Sequence, residues 1–192
     1  MGIKAVCLDR DGTLIKEKGY ITSPKQVKIF STAPEALRKL ANARFKLIVF
    51  TNQGAIAKGL ISEKELADIN KLVANIYESK GVKFEEIYYC PHHPEGTIAK
   101  YTRVCSCRKP ATGMLSKARK DFNIDFKKSF VIGDTMKDME SGYKMGAKTI
   151  LVLTGYGRKI SKTLTNKQRK MISHFARNIS GAAKWILGRN NG

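Results

Sequence analysis

Leu8-Asp9-Arg10-Asp11-Gly12-Thr13, Thr51-Asn52-Gln53 and Gly133-Asp134-Thr135-Met136-Lys137-Asp138 each set oxygen-bearing side chains directly after an apolar run. Short apolar runs without alternation read as strands buried on both faces, and parallel sheets hold ligands just past the carboxyl ends of such strands. Carboxylates gathered there repel one another unless a cation joins them, and oxygen donors suit a hard cation. The arrangement therefore asks for Mg²⁺. A lone Asp-x-Asp is weak evidence, because turns and caps use Asp freely. Spacing by itself describes an acidic, metal-friendly pocket.

The elements that must position these groups are legible in outline. Ala5 to Leu8, Leu47 to Phe50, Phe130 to Ile132 and Thr149 to Leu153 read as strands, with Ile87-Tyr88-Tyr89 a fifth. Between them, Ala36, Leu37, Leu40 and Ala41 repeat at helical spacing behind Pro34, a residue suited to a helix start. Ser62-Glu63-Lys64-Glu65 has the capping-box form, followed by Leu66, Ile69, Leu72, Val73 and Ile76 on one face. Thr112 or Gly113 to Phe122 and Met136 to Met145 complete the helices. Alternating strand and helix predicts an α/β fold with a doubly wound parallel sheet. Positions 14–50, 37 residues, separate Thr13 from Thr51 and leave room for a flap and one helix, not a large cap domain. Leu164, Met171, Ile172, Phe175 and Ile179 share a helical stripe, so a basic helical segment over 158–192 is expected to pack on the single domain of 1–192.

The chain has 192 residues, 42% of them hydrophobic, enough for one core. No apolar run approaches the roughly 20 residues of a bilayer span, and Met1-Gly2-Ile3-Lys4 runs straight into a strand, so a cytoplasmic monomer is expected. The formal net charge is +20, and positions 141–192 carry eleven Lys or Arg with no Asp or Glu. A solvated basic face is the preferred reading. Attraction to nucleic acid is left open by the charge but carries no RNA-binding or zinc-finger signature.

Cys90-Pro91-His92-His93-Pro94 and Cys105-Ser106-Cys107-Arg108-Lys109-Pro110 hold three of the four cysteines. In a cytoplasmic chain such clustering reads as Zn²⁺ rather than disulfide. Cys90, His92, Cys105 and Cys107 would close a tetrahedral structural site, with His93 the substitute ligand. Free thiols, or a bridge from Cys90, are the alternative. Cys7, inside the first strand, reads as a small buried hydrophobe.

The fuller Asp-Arg-Asp-Gly-Thr, Thr51, Lys109 and Gly-Asp-x-x-x-Asp together resemble the haloacid dehalogenase (HAD) superfamily of phosphoryl-transfer enzymes. Adding Gly19-Tyr20, Thr51-Asn52-Gln53-Gly54, the Cys/His segment and Gly113-Met114-Leu115 narrows the likeness. It is to the D-glycero-D-manno-heptose 1,7-bisphosphate 7-phosphatases and the related histidinol-phosphate phosphatases. The resemblance implies Asp9 as nucleophile and Asp11 as general acid and base. It implies Thr51 and Lys109 as phosphoryl ligands, and Mg²⁺ on Asp9, Asp134 and the Asp11 carbonyl. It also implies Arg108 on a distal phosphate, and Glu17, Gly19, Tyr20, Asn52, Gln53 and Gly54 around a sugar bisphosphate. The expected function is removal of the 7-phosphate on the route to nucleotide-activated heptose for lipopolysaccharide, with histidinol phosphate or a nucleic-acid end as rival substrates. A non-catalytic phospho-acceptor domain is disfavoured by Asp11. Thr135 departs from the Lys common at that position.

Overall fold

Residues 2–189 are described by a computed structural model. Six parallel strands form one sheet in the order β3-β2-β1-β4-β5-β6. They are β1 (Ala5–Leu8), β2 (Lys46–Asn52), β3 (Glu86–Cys90), β4 (Phe130–Gly133), β5 (Lys148–Val152) and β6 (His174–Ala176). The order reverses between β1 and β4, which opens a crevice at their carboxyl ends. The expected α/β doubly wound sheet is present.

Alternate residues of each strand face opposite layers, and both layers are apolar. Val6 and Leu8 of β1 join Leu47, Val49, Phe130 and Ile132 in one core, covered by α1 (Ala33–Asn42), α2 (Glu63–Glu78) and α7 (Ile179–Gly188). Ala5 and Cys7 join Ile48, Phe50 and Val131 in the other, beneath Met114, Leu115 and Ala118 of α3 (Gly113–Phe122) and beside α4 (Met136–Met145). Cys7 is fully buried there, and burial pushes its thiol up to about 12, as an inert core residue requires. Two-sided burial explains why the strands lack alternation. Ser62 accepts from the Glu65 N–H (3.2 Å) while Glu65 accepts from the Ser62 N–H (2.7 Å), closing the box that starts α2.

The tail departs from the expected helical stripe. A single turn, α5 (Gly157–Ile160), and another, α6 (Asn166–Arg169), lead into β6, which extends the sheet beyond β5. The strand wins because the edge of β5 needs partners: the Ser173 N–H donates to the Thr149 carbonyl (2.9 Å), the Thr149 N–H donates to the Ser173 hydroxyl (3.1 Å), and the Thr149 hydroxyl donates to the Met171 carbonyl. Asn178 then caps α7, its side-chain oxygen accepting from the Gly181 N–H (3.0 Å). The helical segment expected over 158–192 is thus broken by a strand, and 190–192 lie outside the described residues. All eleven cations of the tail are exposed, as a solvated basic face requires. No helix among the described residues is long and apolar enough to cross a membrane.

Candidate active site

Four strand ends converge at the crevice. The Asp9 N–H donates to the Ile132 carbonyl (2.9 Å), so the β1–β4 pairing continues one residue past β1 and fixes where Asp9 emerges. Thr51 and Asn52 end β2, Asp134 follows β4, and the turn after β5 brings Tyr156, whose N–H donates to Asp134 Oδ2 (2.8 Å). Gly12 and Gly155 have positive φ (78° and 52°), and a Cβ on either would collide with that same oxygen. Gly12→Ala is expected to lower kcat about 10²-fold by displacing Asp134 and its neighbours, and to cost roughly 1–3 kcal/mol of stability. Steady-state kinetics and a thermal melt check both.

Lys109 is the buried hub. Its Nζ lies 2.6 Å from Asp9 Oδ1 and 2.6 Å from Asp138 Oδ1, and donates to the Phe50 carbonyl (3.0 Å). Burial works to lower its pKa, but Asp138 and Asp9 outweigh this and hold it above the usual lysine range. Carboxylate oxygens of Asp9, Asp134 and Asp138 lie within 4.8 Å of one another. Three carboxylates against one ammonium leave two negative charges when all ionise. Burial, reinforced by Asp138 and Asp11 and opposed by Lys109, pushes Asp9 up to about 7. Burial, then Asp9 and Asp138, pushes Asp134 up to about 9. Asp134 Oδ1 is buried without a hydrogen-bond partner. An orphaned oxygen, an all-oxygen donor set and two excess charges fit a divalent cation such as Mg²⁺.

The Asp11 carboxylate stands apart from this cluster. Arg10 grips it through Nη2 (2.9 Å to Oδ2) and Nε (3.2 Å to Oδ1), and Gln53 Nε2 donates to Oδ2 (2.8 Å). The same Gln53 nitrogen donates to Thr51 Oγ1 (2.8 Å), leaving the Thr51 proton free to point elsewhere. Arg10 is fully buried and anchored by Asn70 of α2, which accepts from Nη1 (2.8 Å). Sequence reasoning missed both positioning residues. A usable signal existed, since Asn70 is a polar side chain on the buried stripe of α2.

A cleft of about 150 Å³ is lined by Asp9, Asp11, Glu17, Gly19, Tyr20, Thr51, Asn52, Gln53, Arg108, Lys109 and Asp134, joined by Thr135, Lys137 and Tyr156. Gly54 does not line it; the glycine packs under His93 and Arg108. Asn52 lies in the wall, but both ends of its amide hold the Lys109 backbone, donating to its carbonyl (3.1 Å) and accepting from its N–H (2.9 Å). Thr135 is likewise committed, its N–H (3.0 Å) and hydroxyl (2.6 Å) both donating to Asp138 Oδ2.

The Cys/His segment folds as one knot at the end of β3. Cys90 and Cys107 sulfurs are 3.0 Å apart, Cys105 and Cys107 3.3 Å, and His92 Nδ1 lies 3.3 Å from Cys107 Sγ. None of the four cysteines is in a disulfide. His92 is the histidine that joins them, whereas His93 Nδ1 turns away to accept from the Glu95 N–H (3.1 Å). Four N/S donors, all within 4.8 Å of one another, fit a closed tetrahedral Zn²⁺ site. His93 is held below the usual histidine range by burial first, then by Arg108, Lys58 and, after the opposing Glu95, Lys137.

This geometry has relatives. A family model described as HAD-hydrolase-like matches residues 106–178. The D-glycero-beta-D-manno-heptose-1,7-bisphosphate 7-phosphatase of Pasteurella multocida is 38% identical over 188 residues, spanning 96% of this chain and 97% of that protein. The D-glycero-alpha-D-manno-heptose-1,7-bisphosphate 7-phosphatase of Photorhabdus laumondii is 36% identical over 155 residues, spanning 80% and 85%. In fold, the D,D-heptose 1,7-bisphosphate phosphatase of B. bronchiseptica, crystallised with magnesium and phosphate, aligns over 97% of this chain and 99% of that one. The TM-score is 0.84 at 24% identity. With the strand-end carboxylates, the buried lysine and this near-complete coverage, the chain belongs to the HAD-like hydrolases, in the family of the D-glycero-D-manno-heptose-1,7-bisphosphate 7-phosphatases.

Proposed function

We propose that this phosphatase removes the 7-phosphate of D-glycero-D-manno-heptose 1,7-bisphosphate through an aspartyl-phosphate on Asp9, on the route to nucleotide-activated heptose for lipopolysaccharide. The observation that carries the mechanism is the separate wiring of two carboxylates two residues apart. Asp9 faces Lys109 in the buried cluster, and Asp11 faces Arg10 and Gln53 beside it. One attacks and the other moves the proton.

In the first half-reaction Asp9 attacks phosphorus, the bond to the O7 oxygen breaks, and Asp11 gives that oxygen its proton. In the second, Asp11 takes a proton from water, the water oxygen bonds to phosphorus, and Asp9 is released. Lys109 Nζ and the Thr51 hydroxyl stabilise the phosphoryl oxygens throughout. Mg²⁺, held by Asp9, Asp134 and the Asp11 carbonyl, would supply the remaining charge neutralisation. Glu17, Gly19 and Tyr20 form the flap side of the sugar site, and Arg108 faces the distal phosphate.

Zinc would be structural, on Cys90, His92, Cys105 and Cys107. Cys107 immediately precedes Arg108 and Lys109, so the metal anchors the loop that presents both cations. Cys107→Ser is expected to lose the bound zinc by elemental analysis and to lower kcat/KM about 10²-fold as Lys109 shifts. Full zinc content would remove Cys107 from the ligand set.

Turnover of both heptose bisphosphate anomers beside histidinol phosphate tests the substrate. A higher kcat/KM for a heptose bisphosphate is expected; preference for the amino alcohol would overturn the reading.

A further inference from the structure

The cations at the mouth of the cleft differ from those in its floor. In the floor, Lys109 is paired with carboxylates, as is Arg10, which is fully buried and does not line the cleft. At the mouth, Arg108 and Lys137 line the same cleft, yet among the described residues neither forms an ion pair. Arg108 gives one proton to the His92 carbonyl (2.9 Å), and its Nη1 lies beside Gly54. Lys137 comes from another element, the first turn of α4, and its side chain is exposed.

That placement is unfavourable in the free protein for two reasons. A helix amino terminus carries partial positive charge and disfavours a cation in its first turn. Two unanswered cations facing one cleft also repel each other. The adjacent acid, Asp138, is already shared between Lys109 and the Thr135 cap, and so does not neutralise Lys137. An anion at the mouth would relieve these repulsions together.

We propose that Lys137 acts with Arg108 as a paired clamp on the non-transferred phosphate, making Lys137 a determinant of preference for bisphosphates over monophosphates. This rests on the bisphosphate reading above and assigns a residue to it. A phosphate monoester carries about −1.5 to −2 charge near pH 7, more than one guanidinium balances. Arg108 offers a rigid fork, and Lys137 a mobile point charge that can follow the phosphate as the sugar seats.

The experiment measures kcat/KM for heptose 1,7-bisphosphate and for heptose 7-phosphate, which lacks the second anion, and takes their ratio. Lys137→Ala should lower the ratio about tenfold, chiefly through KM for the bisphosphate, and Lys137→Glu should lower it further. Lys137→Arg should restore most of it. Lys120→Ala, an equal loss of charge at an exposed position of α3, should leave the ratio where it was. An unchanged ratio in Lys137→Ala, or the same drop from Lys120→Ala, overturns the clamp. A parent enzyme with no preference for the bisphosphate overturns the substrate reading itself, before any variant is compared.

Discussion

Asp9→Asn is expected to reduce turnover by at least about 10⁴-fold while the fold stays intact. The amide keeps the shape of the carboxylate and an oxygen that can accept from Lys109 Nζ, 2.6 Å from Asp9 Oδ1 in the parent. Lys109 also retains Asp138 and the Phe50 carbonyl, so its buried charge is not stranded. The substitution removes one of three mutually repelling carboxylates from a site that pushes Asp9 above the ordinary range. Its melting temperature should therefore not fall below that of the parent by more than a few degrees. What is lost is the anionic oxygen that must bond to phosphorus, and no neighbour can replace it: Asp134 is held by the Tyr156 N–H, and Asp11 by Arg10 and Gln53. Kinetics and a thermal melt on the same preparation decide the matter. Retained activity would remove Asp9 as nucleophile.

Lys109→Met should damage both function and fold. Methionine fills much of the same channel against Phe50, whose ring lies 4.4 Å from Nζ, so packing is largely kept. The charge is not. Asp9 and Asp138 would be left buried with no cation between them, and breaking a buried pair in this way costs about 3–5 kcal/mol. For a domain of this size that corresponds to a fall of roughly 6–20 °C in melting temperature. Loss of one preorganised donor to the phosphoryl oxygens should lower kcat about 10²–10³-fold in addition. The two variants separate the roles: Asp9→Asn is inactive and stable, Lys109→Met impaired and unstable. Equal stability in both would contradict the hub that the geometry describes.

The central strands were readable because each is buried on both faces and so appears as an uninterrupted apolar run. The helices were readable because Pro34 and the Ser62 box mark where two of them start. The tail was not, because β6 is three residues long and exists only through its pairing with β5. Residues of a short edge strand sit on a helical stripe as easily as on an extended one. Asn178 was the overlooked start signal for α7.

The site divides the same way. Carboxylates just past buried strands announce themselves, and the Cys/His spacing points to one knot, with His92 rather than His93 facing the thiols. The wiring between elements does not show in one dimension. Arg10 and Asn70 lie 60 residues apart and meet only because α2 packs beside the end of β1. Asp138 pairs with Lys109 and also accepts from the Thr135 hydroxyl at the start of α4, and neither partner is evident from its position in the motif. Lys137 is unremarkable in sequence and becomes notable only because it lines the same cleft as Arg108.

The most direct test of a phosphorylated Asp9 is a single turnover with substrate labelled in the 7-phosphate, quenched in acid at millisecond intervals. Borohydride reduction of the quenched protein converts an aspartyl-phosphate to homoserine, and peptide mapping locates it. Protein-bound label should rise and then decay as inorganic phosphate appears, with homoserine at position 9. Release of phosphate with no labelled protein at any time, or homoserine at another aspartate, would contradict a phosphorylated Asp9.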